Sequence, residues 1–563
     1  MFTRMSRLAV AAVALVAPAA FAAPDKADTA AKKGPAVLVR VQSVSDLLKT
    51  ADYVGTLLPE EQRNQLKQGT DFAKALIDEK TGLAGVDVKN PIGLYIAFGE
   101  EFNLTPPVVV LVPIADRDAF LNMLEQTAKL KVEAPKDKDG VYKTEPPQAP
   151  SPVYFRFANG YAYATLGEAE NIDAKTLPKP AEVLGGRPEH LISATVRIDR
   201  LPDGLKKMAI AGAENVMAQG KDQAIPNETP AMKEFRSKMV DELAANIKEV
   251  LEGGEEAALR INVDPKTEEF ALELELMGTK GSKLAKDIRS IRENKSVAGG
   301  AVASPDAAFG LNLSVSLPAS LKPQFPKVVD DAVAEALKQA PVPGEIMTKA
   351  DPLIKALLPT VKAGELDLAA SLVGPDKDDK YTLLAALKLV DGKKVEAVIK
   401  ETAKKELPPE ASDLFKFDED SLPGGAKVHR VVVADKLDDN AKKVFGKSDL
   451  YLTFRDDLLI VAMGPGAKDA LKTAVASKPA DVGVFRAQVH MARIAPLAGD
   501  NAEELAAAKA AAEKVFGKGG SKADVVTFSI DGGDSLKVRI TAQGKAIRFL
   551  AEVGAGKAEK KEQ

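Results

Sequence analysis

The sequence predicts an α+β fold made of two tandem, duplicated halves, each a largely antiparallel sheet with packed helices. Three observations predict it. Val-, Leu- and Phe-rich runs of strand length alternate with Ala/Leu/Lys/Glu segments of helical periodicity. Neighbouring strands are joined by short turns, which favours antiparallel pairing. Similar segments recur in the same order in the two parts of the chain.

The chain opens MFTRMSRLAVAAVALVAPAAFAAPDK. Arg4 and Arg7 form a basic start, Leu8 to Ala19 an apolar run, and Ala20-Phe21-Ala22 a small-x-small cleavage pattern. Residues 1–22 therefore read as a signal peptide cleaved before Ala23. The apolar run falls short of the ~20 residues that cross a bilayer, and no later run reaches that length. The expectation is an exported chain, periplasmic or extracellular, and soluble after cleavage. It has no cysteine, so disulfides, thiolate metal ligands and cysteine nucleophiles are excluded. An exported protein without disulfides must stand on its core, which a chain of 563 residues is long enough to build.

Residues 23–36 read as a polar linker and 37–295 as the first half. Val37–Val41 (VLVRV) is its first strand, with helical periodicity from Ser45. Gly93 to Leu130 and Leu368 to Lys405 then match at a constant offset of 275. Each holds a strand, a polar loop, an apolar strand, and an Asp (Asp116, Asp391) suited to cap a helix. The helix that follows carries one apolar stripe: Phe120, Met123, Leu124 and Ala128 in the first, Val395, Val398, Ile399 and Ala403 in the second. Val153 to Gly167 matches Leu450 to Gly464, Thr195–Leu205 matches Gln488–Ala498, and FALELELMG (Phe270–Gly278) matches LKVRITAQG (Leu536–Gly544). Each half then reads β–α–β–β–α–β–β–α–β–α–β–β–α. SVAGGAVASP, rich in glycine and alanine and closed by Pro305, places a linker at 296–306. The second half follows at 307–555 and a disordered tail at 556–563.

The stretch VYFRFANGYAYATLG carries three of the eight tyrosines. Asn159-Gly160 suits a type I′ turn, so the stretch is a hairpin. Alternation then puts Phe155, Phe157, Ala162 and Ala164 on one face and Tyr154, Arg156, Tyr161 and Tyr163 on the other. The first is the core face. The second packs against another element or forms a tyrosine-lined ligand surface with Arg156 as its polar handle. The four residues Tyr154, Arg156, Tyr161 and Tyr163 are the candidate ligand-binding set.

Catalytic equipment is sparse. His190, His429 and His490 each lack a second histidine or a carboxylate at a recognised metal spacing, so no metal site is assigned. Gly446-Lys447-Ser448 resembles the end of a phosphate loop, but Ala441 stands where its first glycine belongs. No G-x-S-x-G elbow occurs. The acidic runs Asp376–Asp379 and Asp418–Asp420 lack calcium-loop spacing and read as solvated loop charge. No catalytic residue and no cofactor is assigned. Acids and bases are interspersed, with a net charge of −4, which argues against nucleic acid as a partner.

The leader, the duplication and the absence of motifs together resemble those of exported bacterial proteins with duplicated α+β halves. That resemblance implies no activity and transfers no site residue. The expected function is a non-catalytic binding or scaffolding protein of the periplasm or cell envelope, with an envelope protein or ligand as partner. Two alternatives stand beside it: a carrier of apolar ligands between sheet and helices, and an enzyme with dispersed acid/base residues.

Overall fold

The computed structural model describes residues 34–559, apart from 79–82, 99–105, 127, 136–139, 148, 186–189, 227, 294, 340–343, 406, 500 and 518–522. The expected signal peptide and most of the expected first linker lie outside the described residues. Those residues form seventeen α-helices and twenty strands in a large antiparallel sheet, so the chain is α+β. No described helix is long and apolar enough to cross a membrane.

The chain divides into two compact units. The first takes Met1–Val44, Ala75–Glu189 and Ser193–Gly212. Its strands are β1 (Val37–Val41), β2 (Ile92–Ile96), β3 (Val108–Pro113), β4 (Val132–Glu133), β5 (Tyr142–Thr144), β6 (Val153–Ala158), β7 (Tyr161–Leu166) and β8 (Ile192–Val196). Their spatial order is β4-β5-β6-β7-β3-β2-β1-β8. Asn159 and Gly160 have φ of 49° and 77°, the left-handed pair a type I′ turn needs, and Phe155 faces Ala164 across it. Asp116 accepts from the Ala119 amide at 3.0 Å and so caps the helix Arg117–Gln126.

The second unit takes Ser45–Lys74, His190–Ile192 and Ala213–Gln563. Its strands are β9 (Gly254–Asp264), β10 (Glu269–Gly278), β11 (Ala307–Ser316), β12 (Glu365–Val373), β13 (Thr382–Lys388) and β14 (Phe415–Ser421), followed by β15 (Lys427–Val431), β16 (Leu450–Arg455), β17 (Leu458–Met463), β18 (Phe485–His490), β19 (Val525–Asp531) and β20 (Leu536–Gln543). They run in the order β14-β15-β16-β17-β13-β12-β11-β18-β19-β20-β10-β9. Asp391 caps its helix as expected, accepting from the Lys394 amide at 3.0 Å.

Several elements differ from the sequence expectation. Two helices, Val44–Leu57 and Glu60–Asp78, stand where one was expected. Strands β4–β5 and β14–β15 add a hairpin to each pattern; β4 and β5 are only two and three residues long, and β14 ends in the acidic run Asp418–Asp420 that reads as a loop. The stretch 296–306, expected as a linker, contains the buried helix Val297–Val302. Gly300 lets that helix lie against the chain at Lys478, where a Cβ would stand 2.1 Å from a carbonyl oxygen. Residues 556–559 of the expected tail continue the helix Gly544–Glu559, which is anchored by buried Ala546 and Phe549. The constant offset of 275 also slips. Gly93 pairs with Leu111, but Leu368 pairs with Leu387 rather than Ala386, so the two polar loops differ by one residue.

Candidate functional site

The tyrosine hairpin belongs to a core. Tyr163 is fully buried, its hydroxyl donates to the Pro178 carbonyl at 2.8 Å, and it packs with Leu111, Val109, Ile172, Val183 and Leu184. Tyr154 and Tyr161 are partly buried against the same cluster, and Arg156 lies opposite Tyr163 as expected. Tyr154, Arg156 and Tyr161 keep partial exposure, whereas Tyr163 has none. The opposite face holds Phe155 and Ala162 against Phe120 and Tyr142, with the Arg117 guanidinium over the Tyr142 and Phe157 rings.

A different surface emerges in the second unit. The strand registers line up one row of side chains across nine strands. From β17 to β11 it runs Leu459, Leu387, Leu368, Leu313. From β18 to β9 it continues Phe485, Ile530, Val538, Leu274, Leu259. Eight spacings of ~4.8 Å give the row a width of roughly 40 Å. The next row on the same face includes the small Ala385, Ala370 and Ala487 and then Phe528, Ile540 and Leu272. Every residue named in these two rows is apolar, and none is fully buried. The cross-strand pair Leu272 and Ile540 is 40% and 42% exposed, and the pair Val315 and Leu366 is exposed to a similar degree.

The other face of the same strands shows why this is unusual. On β12, β13 and β17 it is buried: Ala369, Ala386 and Ile460 pack beneath the helices Val297–Val302 and Ala467–Val475. On β9, β10 and β20 it is charged. Arg260 pairs with Glu256 and Glu273, and also with Glu275; Arg539 pairs with Glu269. An antiparallel sheet with one charged face ordinarily buries the other. At its β17–β13 end the apolar face is covered, with Leu459 and Leu387 packed against Ala356 of the helix Gly344–Lys362 and Val395 of the helix Gly392–Lys405. At its β20–β10 end Leu272 and Ile540 keep access to solvent, and such patches mark binding surfaces or liabilities. FALELELMG shows the alternation plainly, but sequence cannot show that the apolar side remains uncovered.

One ionisable cluster also forms in this unit, and sequence reading missed it. Glu396 and Lys400 lie one turn apart on the helix Gly392–Lys405, Asp418 on β14 and His429 on β15. Lys400 Nζ donates to Glu396 Oε1 and to Asp418 Oδ1, both at 2.7 Å. His429 Nε2 lies 3.1 Å from Glu396 Oε1, while its Nδ1 accepts from the Asp418 amide at 3.2 Å. Asp418, read from sequence as solvated loop charge, is half exposed but engaged. Burial, joined by the Lys400 charge, holds the His429 imidazole below its ordinary value and outweighs Glu396 and Asp418. Burial would raise Glu396, but Lys400, Lys393 and His429 bring its carboxyl below the usual range.

The ligand atoms of Glu396, Asp418 and His429 lie within 4.8 Å of one another, close enough for one divalent cation. The Lys400 ammonium already takes the cation's place between the carboxylates, and both imidazole nitrogens have protein partners. As arranged, the cluster is closed by its own cation. His490 forms a second dyad: its Nδ1 lies 3.0 Å from buried Asp524, whose other oxygen accepts from the Ala492 amide. Neither site has a nucleophile hydrogen-bonded to its imidazole among the contacts of the described residues. Comparison with protein-family models, curated proteins and solved structures finds no match to this chain.

Proposed function

We propose that this chain is an exported binding protein that carries an apolar, chain-like ligand on the open sheet face of its second unit. The observation that carries the reading is the exposed part of this apolar face, where the cross-strand pair Leu272 and Ile540 is 40% and 42% exposed. Its lining is aliphatic with two phenylalanine rings, Phe485 and Phe528, stacked edge to face at 5.4 Å. Such a wall offers area and no directional polar partner, which suits acyl chains better than a polar metabolite. Export rests on the leader at residues 1–22.

The reading includes a duplication. Strand order β14-β15-β16-β17-β13-β12-β11 repeats β4-β5-β6-β7-β3-β2-β1 with each number raised by ten. Pairing of β6 with β7 maps onto β16 with β17 at one offset, so that Phe155–Ala164 becomes Leu452–Val461. Arg200 donates to the Pro35 carbonyl ahead of β1, and Arg493 to the Pro305 carbonyl ahead of β11. These parallels support two copies of one ancestral half.

The binding surface is tested with an apolar fluorescent probe such as N-phenyl-1-naphthylamine. Wild type should give a saturable rise in emission. Leu272→Glu and Ile540→Glu each put a charge in the exposed part of the strip, so each should weaken the probe at least tenfold, about 1.4 kcal/mol. Lys537→Glu, on the charged face, should leave it unchanged. Equal binding by all four proteins would refute the assignment.

A further inference from the structure

We propose that His429 is an acid-sensitive latch that holds the β14–β15 hairpin to the helix Gly392–Lys405. The proposal stands on hydrogen-bond polarity and is independent of the ligand reading. The Asp418 amide can only donate, so His429 Nδ1 must be unprotonated and the ring's single proton must sit on Nε2, directed at Glu396. A second proton has one place to go, Nδ1. It would then face the Asp418 N–H, two donors at 3.2 Å, and that bond must break.

The backbone at Asp418 is built around this bond. Its φ of 56° lies in the left-handed region, and the ladder between β14 and β15 skips from Lys416–Arg430 to Asp420–Val428. Phe417, Asp418 and Glu419 thus face the single residue His429, with Asp418 at the centre of the bulge and its amide tied by the imidazole. The Asp418 carboxylate lies 3.9 Å from Nδ1, so it is the natural partner of a protonated ring. Moving to it means leaving Lys400, and the bulge must turn to let the carboxylate replace the amide.

The charged groups facing His429 are few. The helix Gly392–Lys405 supplies Glu396 and Lys400, with Lys393 Nζ 3.5 Å from the far oxygen of Glu396. β14 supplies Asp418. Phe417, Phe454 and the cross-strand Leu452 also neighbour the ring and are apolar. A protonated His429 thus shares two carboxylates with the Lys400 ammonium in a pocket where it is 3% exposed. The fold does not require this arrangement. In the first unit Tyr142 pairs with Phe155 as His429 pairs with Leu452, and it does so within an aromatic cluster.

The direction with pH follows from the depressed imidazole. Its contribution to stability is complete above its ordinary value of 6.5 and is lost as pH falls below it, because the unfolded chain binds the proton more readily. Glu396 and Asp418 are both held below their ordinary values of 4.5 and 3.8, so their contributions fail only in stronger acid. The interval from about pH 6.5 to 5 therefore isolates His429 within the cluster.

Hydrogen exchange read by mass spectrometry on the full chain tests the latch, with rates corrected for intrinsic pH dependence. In wild type, protection of the peptide spanning Asp418 should fall between pH 7.5 and 5.5, by up to about tenfold, the most that one group with an ordinary value of 6.5 can contribute over that interval. In His429→Phe, which copies the aromatic solution of the first unit, protection should not change with pH. The ring itself gives an independent readout in the wild-type chain by selective histidine ¹⁵N labelling. It should show the Nε2–H tautomer at neutral pH and a midpoint below 6.5. An unchanged wild-type exchange rate, an equal pH response in His429→Phe, or a midpoint at or above 6.5 would each overturn the proposal.

Discussion

Tyr163→Ala lowers the stability of the first unit by about 3–5 kcal/mol, the range for truncating a fully buried aromatic ring. Tyr163 has no exposed surface, and its ring fills the space between Leu111 on β3 and the segment that carries Val183 and Leu184. Truncation opens a cavity and leaves the Pro178 carbonyl without the hydroxyl that donates to it. Tyr163→Phe separates the two contributions, since it keeps the packing and loses only the hydrogen bond, about 0.5–1.5 kcal/mol. Urea melts of the three proteins, followed by a probe in the first unit, provide the check. An alanine variant that melts with wild type would show that the hairpin face is open.

Asp367→Ala should cost about 2–4 kcal/mol and release the helix Val297–Val302. Asp367 is buried, and its carboxylate accepts from the Ser296 hydroxyl at 2.5 Å and from the Val297 amide at 2.7 Å, with Ala298 at 3.4 Å. Those amides are the first-turn donors that a helix cannot satisfy itself. Alanine leaves them buried and unpaired, whereas Asp367→Asn retains one acceptor and should lose less. Thermal melts rank the variants, and hydrogen exchange at residues 296–302 reports the helix directly. Wild-type protection there in the alanine variant would mean that packing alone holds the helix.

These two sites show what the sequence could and could not reveal. The hairpin's register was legible because Asn159-Gly160 fixes the turn and alternation fixes the faces. The helix starts at Asp116 and Asp391 were legible because a cap is a local interaction. The helix Val297–Val302 was not: glycine and alanine read as linker composition, and their real use is close approach between backbones. Glu396 and His429 are thirty-three positions apart in the chain. Only the packing of the helix Gly392–Lys405 on β15 joins them, so no spacing rule finds the pair. The candidate Tyr154, Arg156, Tyr161 and Tyr163 were correctly placed on one face, but which face of a sheet remains uncovered is a tertiary property. For the same reason the apolar row from Leu459 to Leu259 was visible in sequence only as nine unrelated strands.

The most direct test of the carrier reading is native mass spectrometry of the chain recovered from cells that export it, without detergent. The account predicts a polypeptide beginning at Ala23 with a non-covalent apolar adduct that dissociates on mild activation. The Leu272→Glu, Ile540→Glu double variant should carry none. A wild-type chain observed only at its bare polypeptide mass, or the same adduct retained by the double variant, would contradict it.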